Sequence, residues 1–192
     1  MEYILQTEKI FKYLDLNLDA EEKLSLIKLK RKFNNDLNLL GCFIKDFLIF
    51  KNNGKTLKND DIYFEFVNFF ENKEELNQIF LKEINSLSNY YLEIVFEDFR
   101  ALEKYNCGEL ITAVTTANSF FALEFYPHLL KLIKDYSDKK INGNSFSLML
   151  KSLSDIIVSE KSENFENLEN VPDFSMFENE TNDVLQKERL AG

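Results

Sequence analysis

Apolar residues recur at three- and four-residue intervals from the first turn of the chain to about residue 158, the period at which an α-helix keeps one face on a core. Tyr3, Ile4, Ile10, Phe11 and Leu14 predict a first helix ending near Asp15. Asp19 with Glu22 three residues on reads as a capping box, followed by Leu24, Ile27 and Phe33. Asn34-Asn35-Asp36 offers a break and a new cap. The next helix carries Leu37, Leu40, Phe43, Ile44, Phe47 and Phe50, and Asn52-Asn53-Gly54 closes it. Further helices are predicted from Asp61 to Phe70 and from Lys73 through Ile84. Another starts at Ser88 or Asn89 and runs through Leu102 to Tyr105, stopped by Asn106-Cys107-Gly108. Leu110, Val114, Ala117, Phe121 and Phe125 lead into Pro127, which predicts a kink or short break. Leu129 to Tyr136 continue the pattern, Lys139 to Gly143 form a turn, and Phe146 to Val158 form the last core helix. Period-2 alternation is absent, so the expected fold is all-α, a single-domain helical bundle of seven to nine helices over residues 1–158.

Composition sharpens that reading. The chain has 192 residues, 5 Gly, 2 Pro, 19 Phe and a net charge of −10. Scarce Gly and Pro argue against sheet-rich folds and glycine-loop phosphate sites, and the acidic balance argues against a nucleic-acid partner. No run of apolar residues is long enough for a membrane span, and the first residues do not form a signal peptide, so a cytoplasmic protein is expected. Cys42 and Cys107 are expected as reduced thiols in or near the core. Residues 159–192 hold nine acids and three bases, with spaced aromatics between them. They read either as a frayed tail or as an acidic-aromatic segment that docks on its own domain or on another protein.

No complete catalytic motif is present. Gly54-Lys55-Thr56 ends like a phosphate loop, but Ile49 stands where the first Gly belongs. Asp15-x-Asn17-x-Asp19 begins like a calcium loop, yet Ala20 and Leu26 occupy the positions that need Gly and a carboxylate. His128, the only histidine, reads as a surface residue at a helix start or as part of a partner site. Glu93 and Glu97, at i and i+4 of the expected Ser88–Tyr105 helix, share a face with Asp98 and Glu103 nearby. That face is a solvated surface, a dock for a cationic ligand or an acid–base pair. No metal site, cofactor or catalytic residue is expected.

From Leu87 to Lys161 the chain resembles the TorD-type maturation chaperones of molybdenum redox enzymes. Tyr91-Leu92-Glu93 opens an apolar helix. Phe121-Ala122-Leu123-Glu124-Phe125-Tyr126-Pro127-His128 is similar to the family's aromatic segment with a proline at a helix junction, and Phe146 to Glu160 to its closing helix. Asp61 to Phe70 matches the family's acidic-aromatic helix loosely. Ser86 and Leu87 stand where the family has an Asp-His pair, and its proline-tyrosine-glutamate-serine connector is missing. The resemblance covers about 75 residues. It implies a non-enzymatic chaperone or adaptor that binds a client protein or signal peptide, in particular the twin-arginine leader of a redox enzyme, as a monomer or homodimer. It carries Tyr91, Glu93, Tyr126 and His128 into the partner-binding set, which Glu97 joins from helical geometry. The rival reading is an immunity or regulatory protein whose acidic tail captures a basic partner. A small helical enzyme with an unrecognised site is the third.

Overall fold

The computed structural model describes residues 2–71, 77–98 and 108–163. Among them are eight α-helices and no strand: α1 (Glu2–Asn17), α2 (Ala20–Lys32), α3 (Leu37–Lys51), α4 (Ile62–Glu71), α5 (Asn77–Phe96), α6 (Gly108–Ser119), α7 (Tyr126–Ser137) and α8 (Gly143–Glu163). Short 3₁₀ turns at Asn59–Asp61 and Leu123–Phe125 precede α4 and α7. Lys73, where a helix start is expected, Glu103, Cys107 and the tail beyond residue 163 lie outside the described residues.

The predicted caps are present. Asp19 accepts from the Glu22 amide at 2.9 Å and its own amide donates to Glu22 Oε2 at 2.9 Å, closing the capping box of α2. Asp36 Oδ1 accepts from the Asn38 and Leu39 amides and starts α3. Each such cap is worth about 1 kcal/mol.

The chain divides into two compact units. The first comprises residues 1–52 and 56–92, the second 53–55 and 93–192. In the first, α1 packs on α3 and α4. The α1–α3 approach is close at Gly41, where a Cβ would fall 2.5 Å from Thr7 Oγ1 and 3.0 Å from Tyr3 Cβ. Phenylalanines fill the core of this unit. Phe80 of α5 meets Phe47, Phe66 and Phe70 at centroid distances of 5.6–5.7 Å, all near edge-to-face, while Phe33 stacks on Phe43 at 5.3 Å. Such pairs add about 0.5–1.5 kcal/mol each beyond their burial.

In the second unit, α6 and α7 pack on α8. Ala113, Val114, Ala117, Leu150, Leu153 and Ile157 are buried, and Tyr136 stacks on Phe146 at 4.4 Å.

Three boundaries differ from the sequence pattern. No break occurs at Ser88, which lies inside α5; its hydroxyl donates to Asn85 O at 2.8 Å, and Phe80, Leu81, Ile84, Leu87, Tyr91 and Ile94 form one buried stripe. The helix stops at Phe96, and residues 99–105 of the expected stretch lie outside the described residues. At Pro127 the expected break is present: α6 ends at Ser119, the 3₁₀ turn intervenes, and the proline sits in the first turn of α7, where its missing amide costs nothing. The last helix runs five residues past Val158.

Candidate functional site

Helices need a left-handed residue to end in a Schellman cap, and Gly is the usual choice. With 5 Gly in the chain, other residues take that position. At the end of α5, Glu97 has φ 52° and the Asp98 amide donates back to Glu93 O at 3.1 Å. At the end of α6, Phe121 has φ 51°, its amide donates to Asn118 O at 3.1 Å, and the Ala122 amide donates to Ala117 O at 2.8 Å. Non-glycine residues held this way carry about 1–2 kcal/mol of strain each.

One side chain ties the two strained ends together. Asn118 Nδ2 donates to Ile94 O at 2.9 Å and to Glu97 Oε1 at 3.0 Å. Its Oδ1 accepts from the Tyr126 hydroxyl at 2.6 Å. The amide therefore caps α5 from another helix and anchors the start of α7, which explains why α5 ends where it does.

This corner lies wholly in the second unit and carries apolar surface. Phe121 is 82% exposed, Phe96 63% and Leu123 54%, with Phe120 also exposed. Carboxylates accompany them. Glu97 is exposed, and Glu124 pairs with Lys161 of α8. Burial raises the Glu160 carboxyl above its usual range, and the nearby Glu124 charge adds to the shift. The corner thus combines exposed aromatic rings with excess negative charge.

The five residues singled out in the sequence separate. Glu97 and Tyr126 meet through Asn118. Glu93 is half-buried, one turn before the end of α5. It does not share a helical face with Glu97, because the helix stops between them. His128 is 4% exposed and packs its ring 5.8 Å from that of Phe125, so it is no surface residue. Tyr91 belongs to the first unit and is buried against Phe33 and Phe43. It also hydrogen-bonds Asp46, whose carboxyl is pushed up to about 8 by burial, opposed by the Tyr91 bond and the Lys45 charge. The same setting pushes the Cys42 thiol up to about 11, through burial first and then Asp46.

Asn118 is the member that sequence reasoning missed. Its signal was an amide at the i+4 position from Val114, on a face otherwise apolar; such a group needs partners when buried. The exposure of Phe120, Phe121 and Leu123 had no signal, since a helix continuing to Phe125 would have turned Phe121 inward.

Among the described residues no group of three His, Cys, Asp or Glu side chains is placed to hold a metal ion. No helix among them is long and apolar enough to cross a membrane. No protein-family model, curated protein or solved structure matches the chain.

Proposed function

We propose that this protein is a non-enzymatic chaperone or adaptor that binds a client segment carrying basic and apolar residues at the α5–α6–α7 corner. The exposed ring of Phe121 on a strained backbone, at the corner where Asn118 joins the end of α6 to Glu97 and where Phe96 and Leu123 are also exposed, is the observation that supports this reading. Strain of this kind persists where the surroundings enforce it, and it clusters at binding sites. Apolar side chains of a client would cover the rings, while guanidinium groups would meet the carboxylates in bidentate pairs.

A twin-arginine leader has this chemistry, two guanidinium groups followed by an apolar stretch. The resemblance to redox-enzyme maturation chaperones favours it as the client. In that role the protein holds the leader of a molybdenum enzyme in the cytoplasm until its cofactor is inserted. Tyr126 acts beneath the surface, positioning Asn118 and through it Glu97.

Titration of the purified chain with a twin-arginine leader peptide and its double-lysine variant tests the reading. Salt-sensitive binding that weakens on Arg-to-Lys replacement supports it, because Lys cannot make the two-pronged contact. No binding, or equal and salt-insensitive binding of both peptides, overturns it.

The acidic segment after residue 158 favours a second reading, capture of a basic partner by the tail. Since α8 continues to Glu163 and Lys161 pairs with Glu124, the informative truncation begins at residue 164. Loss of leader binding on that truncation would move the site to the tail.

A further inference from the structure

In a chain of net charge −10, α2 stands apart, with Lys23, Lys28, Lys30, Arg31 and Lys32 against Glu21 and Glu22. On the side of α2 that faces α5 there is a recess of about 310 Å³, entirely within the first unit. Lys28 and Lys32 line it from α2, Lys82 from α5. Lys32 is half-buried, and its Nζ donates to Asn85 O at 2.7 Å and to Ser88 Oγ at 3.2 Å, both neutral acceptors. Among the described residues no carboxylate forms an ion pair with Lys28, Lys32 or Lys82. Burial lowers the Lys32 pKa, the direction expected for an ammonium group whose charge is not compensated nearby.

Two carboxylates also line the recess, and both need accounting for. Glu22 is buried and turned back on its own helix start, where Oε2 accepts the Asp19 amide. Glu21 is exposed at the rim. The three ammonium groups therefore outnumber the carboxylates, and one of the latter is already engaged in a cap.

We infer that the α2–α5 recess binds the phosphate group of a small phosphomonoester, held by Lys28, Lys32 and Lys82. Three converging lysines suit a phosphate, a tetrahedral and multiply charged anion that accepts point-charge donors from several directions. The volume is at the lower end for small-molecule sites, about 300–1,000 Å³, and suits a compact phosphorylated molecule. Ser25 and Leu81 supply a hydroxyl and an apolar wall for the remainder of the ligand. The site shares no residue with the peptide corner, so each can fail without the other.

The test is a titration of the full ¹⁵N-labelled chain with glycerol 3-phosphate, with glycerol at the same concentrations and chloride-matched ionic strength as the control. The expected result is saturable amide shifts at the C-terminal half of α2 and at residues 81–88 of α5, absent with glycerol. Lys28→Ala and Lys82→Ala, both at exposed positions, should each weaken binding by about threefold to fivefold. Lys139→Ala, exposed in the second unit, should leave it unchanged. Shifts that do not saturate, that spread over lysines of every helix, or that survive the Lys28→Ala/Lys82→Ala double change overturn the assignment. Inorganic phosphate in place of glycerol 3-phosphate separates the two sources of the anion. Equal affinity would remove the organic part of the ligand from the proposal and overturn the monoester.

Discussion

The hydroxyl of Tyr126 donates to the side-chain oxygen of Asn118 at 2.6 Å, and through that amide the first turn of α7 is joined to the last turn of α5. A helix end whose carbonyl is satisfied by a side chain from elsewhere depends on tertiary structure for its length. Most such carbonyls are met by water or by local caps.

Asn118→Ala removes the acceptor of a buried tyrosine and the donor to Ile94 O. The expected cost is about 2–3 kcal/mol, read as a lower urea midpoint, because unsatisfied buried groups cost about 1–3 kcal/mol. Tyr126→Phe, which removes only one donor, should cost about 1 kcal/mol. Hydrogen exchange should rise at residues 93–98 in Asn118→Ala and stay unchanged in α1. Uniform acceleration along the chain would contradict a local cap.

Phe121 and Phe80 should respond in opposite ways. Phe121→Gly relieves a left-handed backbone and removes an exposed ring, so stability should rise by about 1 kcal/mol while leader-peptide affinity falls. Phe80→Ala opens the aromatic core of the first unit and should cost about 3–5 kcal/mol. A Phe121→Gly protein that binds the leader peptide normally would separate the strained turn from the proposed site.

Asp46 makes stability depend on pH. Its carboxyl sits at about 8 in the folded chain against an ordinary value of 3.8, so the folded state keeps a proton that the unfolded state has lost. The sign is therefore destabilisation as pH rises from about 4 to about 8, at up to about 1.4 kcal/mol per pH unit from this group. Asp46→Asn keeps the shape and abolishes the titration, so its thermal midpoint should lose that slope. Tyr91→Phe removes a bond that favours the carboxylate and should move the Asp46 titration, followed by ¹³C carboxyl shifts, to still higher pH.

Gly41→Ala should destabilise by about 1–3 kcal/mol, the usual cost of overpacking. The added methyl meets Thr7 Oγ1 at 2.5 Å, so α1 and α3 must separate. Thr7→Ala in the same chain takes away that atom and should recover part of the loss, a coupling that a double-mutant cycle in chemical denaturation measures.

Helical period, caps and turn residues are local properties, and they were legible. The Asp19–Glu22 box, the Asp36 cap and the Asn34 break each rest on atoms within four residues of one another. The all-α class followed from the same short-range periodicity. Where an apolar stripe ran on without interruption, a candidate cap such as Ser88 misled, because a hydroxyl inside a helix can satisfy itself on the i−3 carbonyl.

What the chain by itself determined was its helical character, its main caps and the apolar faces that build the cores. Tertiary structure alone decided that α5 ends at Phe96, that Glu93 and Glu97 part company, that His128 is buried and that Phe121 stands out in solvent. The reason is range. A Schellman cap without glycine is disfavoured locally, and it holds at Glu97 with hydrogen bonds that Asn118 makes to residues 21 and 24 positions away. No window of sequence contains both ends of such a bond, so the corner that carries the proposed function appears only once the helices are packed.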